Sequence, residues 1–297
     1  MENDRRPSFQ GAHDCWESAR FWEIVLSFSS FPFPSFLSPV ALTTPARALR
    51  GGASRPVPLP PKGGLRQGAT QTQAVGRPHK REEMDHILIY GDSLTWGIIP
   101  NTRRRLRFDQ RWPGVLEGEL TRSGCIVRVI EDCLNGRRTV WDDPYKPGRN
   151  GLIGIEQRIE VNSPLALVIL MLGTNDFQSM HQNKAWESAQ GIAALIRGIR
   201  RAPIEPEMPI PEILVVAPPS PREASGLIAP KFIDAYEKSK GLTEAYYQVA
   251  IELGCAFFDA NSVTSSSKVD GIHLDMEQHE ILGRELAQIV RGILKAG

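Results

Sequence analysis

Ile87-Leu88-Ile89-Tyr90-Gly91-Asp92-Ser93-Leu94-Thr95-Trp96-Gly97 is the stretch on which the reading of the whole chain turns. A short apolar run breaks at Gly91, and a serine follows before a helix can form. A strand that stops in this way presents a hydroxyl at the carboxyl edge of a sheet, which is where open α/β folds gather their chemistry. Gly-Asp-Ser alone is also ordinary turn composition, so its meaning rests on what lies downstream.

Downstream, strand and helix signals alternate. Apolar or β-branched runs at 86–90, 125–130, 165–172, 212–217 and 256–258 read as strands. Helical spacing is found over 112–121, 152–161, 185–201, 232–253 and 277–294. The run at 165–172 has eight apolar residues and no charge, as expected of a strand covered on both faces. Strands separated by helices require right-handed crossovers and a parallel sheet. The expected fold is therefore α/β: three layers (α/β/α) around a five-stranded parallel sheet in the flavodoxin-like order 2-1-3-4-5.

Upstream, residues 1–83 differ in kind. They hold ten of the 23 prolines, and no acidic residue lies between Glu23 and Glu82. The apolar stretch 21–42 suggests an export signal, but Pro32, Pro34 and Pro39 interrupt it. The acid-poor, arginine-bearing composition also fits an organellar transit peptide. The preferred reading is a disordered extension or a mis-assigned start, with Met84 opening a single domain at 84–297.

The 297 residues carry a formal net charge of +1, so nothing in the overall charge argues for nucleic acid or for a membrane surface. Cys15, Cys125, Cys133 and Cys255 show no metal-ligand spacing, and no metal or cofactor is expected. Cys125 and Cys255 read as buried thiols, and a reducing, cytoplasmic setting is expected; export is the alternative if 1–83 carry a signal.

In a parallel sheet the carboxyl ends of all strands share one edge. Asp92-Ser93, Asn135-Gly136, Gly173-Thr174-Asn175-Asp176 and Asp270-Gly271-Ile272-His273 all follow strands and converge there. A serine hydroxyl needs a base, and His273 is the candidate. Asp270 is placed to hold the other ring nitrogen. Oxyanion donors are expected from the N–H of Ser93, the N–H of Gly136 and the amide of Asn175. Asp92 and Asp176 read mainly as turn or helix-start residues, and His181 and His279 as exposed. Asp92, Thr95 and Trp96 are the candidate pocket residues beside the nucleophile, with the Trp96 indole set against the acyl group.

These four blocks resemble those of the SGNH, or GDSL, hydrolase superfamily. Arg111-Trp112, Asp142-Asp143-Pro144 and Asn150-Gly151 bring the chain closer to its arylesterase/acyltransferase branch. The resemblance covers 84–297. It implies a carboxylic ester hydrolase that acts on small aryl or alkyl esters through an acyl-enzyme, with water or an alcohol as acceptor, and it implies a homo-oligomer. Two stretches depart from the pattern: the arginines of 103–107 and the segment 218–230. An O-deacetylase of carbohydrates or metabolites would share the same triad. A flavodoxin-like binding module for an anionic ligand is the non-enzymatic alternative.

Overall fold

The computed structural model describes residues 84–296; the expectations for 1–83 lie outside the described residues. Five strands, β1 (Asp85–Gly91), β2 (Val127–Cys133), β3 (Leu167–Met171), β4 (Glu212–Ala217) and β5 (Ala256–Asp259), form one sheet. Its order is β2-β1-β3-β4-β5, and every neighbouring pair is parallel, as the sequence predicts. β3 is the central strand, and its five residues are all buried, which accounts for its lack of polar positions.

The helices are α1 (Ser93–Trp96), α2 (Trp112–Arg122), α3 (Ile155–Asn162), α4 (Ala185–Arg200), α5 (Ala235–Lys238), α6 (Leu242–Glu252) and α7 (Met276–Ala296). α2 packs against α7, while α3, α4 and α6 pack side by side, giving the two outer layers. In α7 the buried Leu282, Leu286 and Val290 recur at helical spacing and form the inward stripe. Gly283 lets α7 approach α2, since a Cβ there would lie 2.8 Å from the Trp112 carbonyl. Among the described residues no helix is long and apolar enough to cross a membrane.

Several expectations need correction. β2 runs later than 125–130, because its pairing with β1 carries it from Val127 to Cys133. Glu131 and Asp132 are tolerated in it because an edge strand is only half covered. The single helix expected over 232–253 is broken, and Gly241, at φ +82°, turns the chain between α5 and α6. Cys125 and Cys255 are half-buried rather than buried, since each lies just before an edge strand. His279 is fully buried between α7 and α2, where its Nδ1 accepts the Trp112 N–H. His181 is half-buried.

Candidate active site at the carboxyl edge of the sheet

β1 delivers Ser93 to the sheet edge through a tight turn. Gly91 allows it, because a Cβ there would collide with the Thr95 side chain folded back beneath α1. Asp92 caps α1 by accepting the Leu94 N–H at 2.9 Å, so Ser93 stands at the first helical position with its N–H unused by the helix.

His273 arrives 180 residues later, from the turn between β5 and α7. Its Nε2 lies 3.2 Å from Ser93 Oγ, and its Nδ1 lies 2.7 Å from Asp270 Oδ2. The other Asp270 oxygen accepts the N–H groups of Ile272 and His273, both at 2.9 Å. Desolvation alone would raise the Asp270 carboxyl, but the His273 ring and these two N–H donors outweigh it and hold it at about 2. Asp270 is thus an ionised acceptor whose partners fix the ring from one side.

The segment 218–230 braces this turn. Arg222 N–H donates to the Gly271 carbonyl at 2.7 Å, and Ser225 N–H donates to that of Asp270 at 3.1 Å. Leu227 and Ile228 then continue into the wall of the cavity.

The three expected oxyanion donors also meet at the cavity, which has a volume of about 380 Å³ and is lined by Ser93, Gly136 and Asn175 together with Asp270 and His273. Gly136 follows β2 and takes φ +84°, a conformation open to glycine at little steric cost. Asn175 comes off β3 and is held at both ends. Its Nδ2 donates to Asp92 Oδ2 at 2.8 Å, and its Oδ1 accepts from Gln178 Nε2 at 2.6 Å. One Nδ2 hydrogen is spent on Asp92, which leaves the second for the cavity. Gln178 is gripped in turn by Arg138, whose guanidinium pairs with Asp143 at 3.0 Å.

The three residues expected in the pocket lie in different places. Trp96 lines the cavity. Asp92 and Thr95 do not: both are buried behind its wall, 1% and 0% exposed, because α1 turns them toward β1 and Asn175. Burial pushes the Asp92 carboxyl up to about 6 despite its two donors. Asp176 stands in the first turn of the 3₁₀ helix Thr174–Phe177, as expected, and its side chain is also a buried hub. It accepts from the N–H and hydroxyl of Thr139 and from Ser188, and burial lifts it to about 6 as well.

The arginine stretch is not a free loop. Ile98 and Arg105 pair as an antiparallel bridge, Arg105 bonds to Glu131 at 3.2 Å and stacks over Trp96, and Arg107 pairs with Asp109. Arg111 clamps Glu131 with two nitrogens and the Leu106 carbonyl with the third, which holds this hairpin against the sheet. Asn101, Thr102 and Arg103 at its tip line the cavity. Of the other matched pairs, Asn150 fastens the Val140 carbonyl and the Leu152 N–H, and Gly151 accepts the Tyr90 hydroxyl.

Sequence reasoning missed Gln178, Arg138, Lys146 and Lys231. Gln178 was within reach, since it lies one 3₁₀ turn after Asn175. Arg138 and Lys146 come from irregular segments, and Lys231 ends a 3₁₀ helix, none of which periodicity discloses.

A model of the GDSL-like lipase/acylhydrolase family matches residues 89–281. A search of the curated proteins finds no match. Among solved structures, the inhibitor-bound aryl esterase of M. smegmatis is 34% identical with a TM-score of 0.67, over 70% of this chain and 99% of that one. A carbohydrate acetylesterase from Sinorhizobium meliloti is likewise 34% identical with a TM-score of 0.66, over 70% and 99% of the two chains. A lipase/acylhydrolase from Enterococcus faecalis, 16% identical with a TM-score of 0.50 over 70% and 96%, shares the fold alone. With its sheet order, the meeting of its four sequence blocks at one edge and a family match across most of the described residues, the chain belongs to the GDSL-like lipase/acylhydrolase family, the SGNH hydrolases.

Proposed function

We propose that the protein hydrolyses small carboxylic esters through an acyl-enzyme formed on Ser93. The observation that carries this reading is the line Ser93 Oγ–His273 Nε2–Asp270 at 3.2 and 2.7 Å, opening into a cavity of small-molecule size. As Ser93 Oγ bonds to the ester carbonyl carbon, His273 Nε2 takes its proton. Asp270 accepts from Nδ1, keeps the ring in the required tautomer and stabilises the imidazolium. The carbonyl oxygen becomes an oxyanion that receives the N–H groups of Ser93 and Gly136 and the free Nδ2 hydrogen of Asn175. On collapse the C–O bond to the leaving alcohol breaks, and His273 returns the proton to that oxygen. Water or a second alcohol then repeats the sequence and releases the acyl group from Ser93.

Ser93→Ala tests the assignment. We expect turnover of p-nitrophenyl acetate to fall to background while the far-UV circular dichroism is unchanged; retained turnover overturns it. Labelling by a fluorophosphonate separates this reading from a binding module, which would give no adduct at Ser93.

O-Deacetylation of a carbohydrate is the second reading. It is favoured by Asn101, Thr102 and Asn135 in the cavity wall and by the carbohydrate acetylesterase among the relatives. Acetylated sugars assayed beside aryl acetates decide between the two. Self-association belongs to the same proposal: Tyr145 and Leu227, beside the cavity, are 82% and 89% exposed, and sedimentation velocity checks it. A cytoplasmic setting is proposed on the thiols that are free among the described residues, Cys125, Cys133 and Cys255.

A further inference from the structure

The cavity lining is of two kinds. Trp96, Ile98, Leu227, Ile228 and Phe232 are apolar. Arg103, Lys146 and Lys231 are basic, and Lys231 Nζ lies 6.0 Å from the centre of the Phe232 ring. An added Cβ on Gly136 would lie 3.9 Å from Lys231 Nζ and 4.0 Å from Arg149 Nε, so two basic groups stand beside the glycine proposed as an oxyanion donor.

Among the described residues none of these four cations has a carboxylate within ion-pair distance. The only carboxylate among the described residues that lines the cavity is Asp270, which His273 occupies. Asp143, whose charge acts on Lys231 and Lys146, is taken by Arg138 and by the N–H groups of Tyr145 and Lys146. Desolvation, then the neighbouring cations, hold the Lys231 and Lys146 amines below their ordinary values. The Asp143 charge offsets this only in part, so the gathered cations repel, and a bound anion relieves that repulsion.

We propose that the ester this site is built for carries a second, anionic group, a carboxylate, which Lys231, Lys146 and Arg103 hold while the ester carbonyl lies over Ser93. This inference rests on the esterase reading and narrows its substrate class. A neutral ester engages the apolar lining alone. An anionic one also engages the cations, so the gain falls in kcat/KM and weakens with salt.

The test compares wild type with Lys231→Gln and with Arg103→Gln on two ester pairs. 4-Acetoxybenzoate against methyl 4-acetoxybenzoate places the charge in the alcohol part. Mono-(4-nitrophenyl) adipate against 4-nitrophenyl hexanoate places it in the acyl part. The readout is the anionic-to-neutral ratio of kcat/KM, which cancels a general loss of activity. In one of the pairs the ratio should drop about tenfold in Lys231→Gln, drop less in the more exposed Arg103→Gln, and fall in wild type as salt rises to about 0.5 M. If neutral esters are turned over through Ser93 but both ratios stay within about twofold in both variants, the inference is overturned while the esterase reading stands. If wild type turns over no ester of either pair, both fall together. Arg103→Gln lies on an exposed hairpin tip, so it decides the matter even if Lys231→Gln does not fold.

Discussion

Asp92→Asn separates the catalytic use of a buried carboxylate from its effect on stability. The side chains are nearly isosteric, so no cavity opens. At about pH 8 the native carboxylate is ionised, although burial has raised it from 3.8 to about 6. At 1.36 kcal/mol per pKa unit, holding that charge in the fold costs about 3 kcal/mol relative to the unfolded chain. The amide removes this cost but fits the two donors less well, a loss of about 1–3 kcal/mol. Net stability at pH 8 should therefore stay within about 2 kcal/mol of wild type. Because the native pKa is the raised one, the native state takes up the proton first as pH falls. Wild type thus gains stability between about pH 6 and 3.8, and the variant's relative standing worsens across that window.

Activity should behave differently. The 2.8 Å bond from Asn175 Nδ2 to Asp92 is charge-assisted, worth about 1.5–3 kcal/mol, and it aims the remaining hydrogen into the cavity. If its loss passes into the transition state, kcat on p-nitrophenyl acetate falls about 10- to 10²-fold, short of the 10²–10³ typical of deleting a donor outright. Burst titration of Ser93 fixes the active enzyme concentration, and urea melts from pH 4 to 8 give the stability. Asn175→Ala in the same assay should make the Asp92→Asn change nearly silent, since the two act through one hydrogen. A kcat within about twofold of wild type, or full additivity of the two changes, refutes the reasoning.

Asp270→Asn keeps an oxygen for the Ile272 and His273 N–H groups but loses the ionised acceptor for Nδ1, and kcat should fall about 10⁴-fold with the fold intact, as steady-state kinetics and circular dichroism will check. In wild type Asp270 stabilises the fold above pH 3.8, and that contribution is lost as pH falls toward its native value of about 2; the variant should show a shallower acid limb in urea melts. Desolvation, then the nearby Arg111 and His273, lower His279 to about 3, so its stability contribution is full above pH 6.5 and declines from there down to about 3. His279→Asn keeps an acceptor for Trp112 and should flatten that decline in the same melts. Gly283→Ala should destabilise by about 1–3 kcal/mol in chemical denaturation despite the roughly 1 kcal/mol helix-propensity gain, because its Cβ meets the Trp112 carbonyl and Val115.

The sheet order was legible in the sequence because each strand is an apolar run closed by a breaker, and right-handed crossovers leave few orders open. Ser93, Gly136 and Asn175 were legible for the same reason, since each comes just after a strand, and the Asp270–His273 pair was legible from its Asp-x-x-His spacing in the loop between the last strand and the last helix. What stayed hidden depends on where side chains turn after the backbone has passed. Asp92 and Thr95 sit next to Ser93 in sequence, yet one turn of helix sends them behind the wall. His279 stands between Gln278 and Glu280 and so reads as exposed, because its partner, the Trp112 N–H, comes from another helix. The break at Gly241 was missed because the apolar spacing continues in phase on both sides of it.

The distance along the chain between Ser93 and His273 has a consequence for biosynthesis. The hydroxyl leaves the ribosome near the start of the described domain, whereas its base emerges only after all five strands have been made. Until β5 docks on β4 and the turn after it is braced by Arg222 and Ser225, the nascent chain carries an ordinary, unreactive serine. Esterase activity is thus a property of the finished sheet, and its appearance in a synchronised translation reaction should coincide with closure of the last strand.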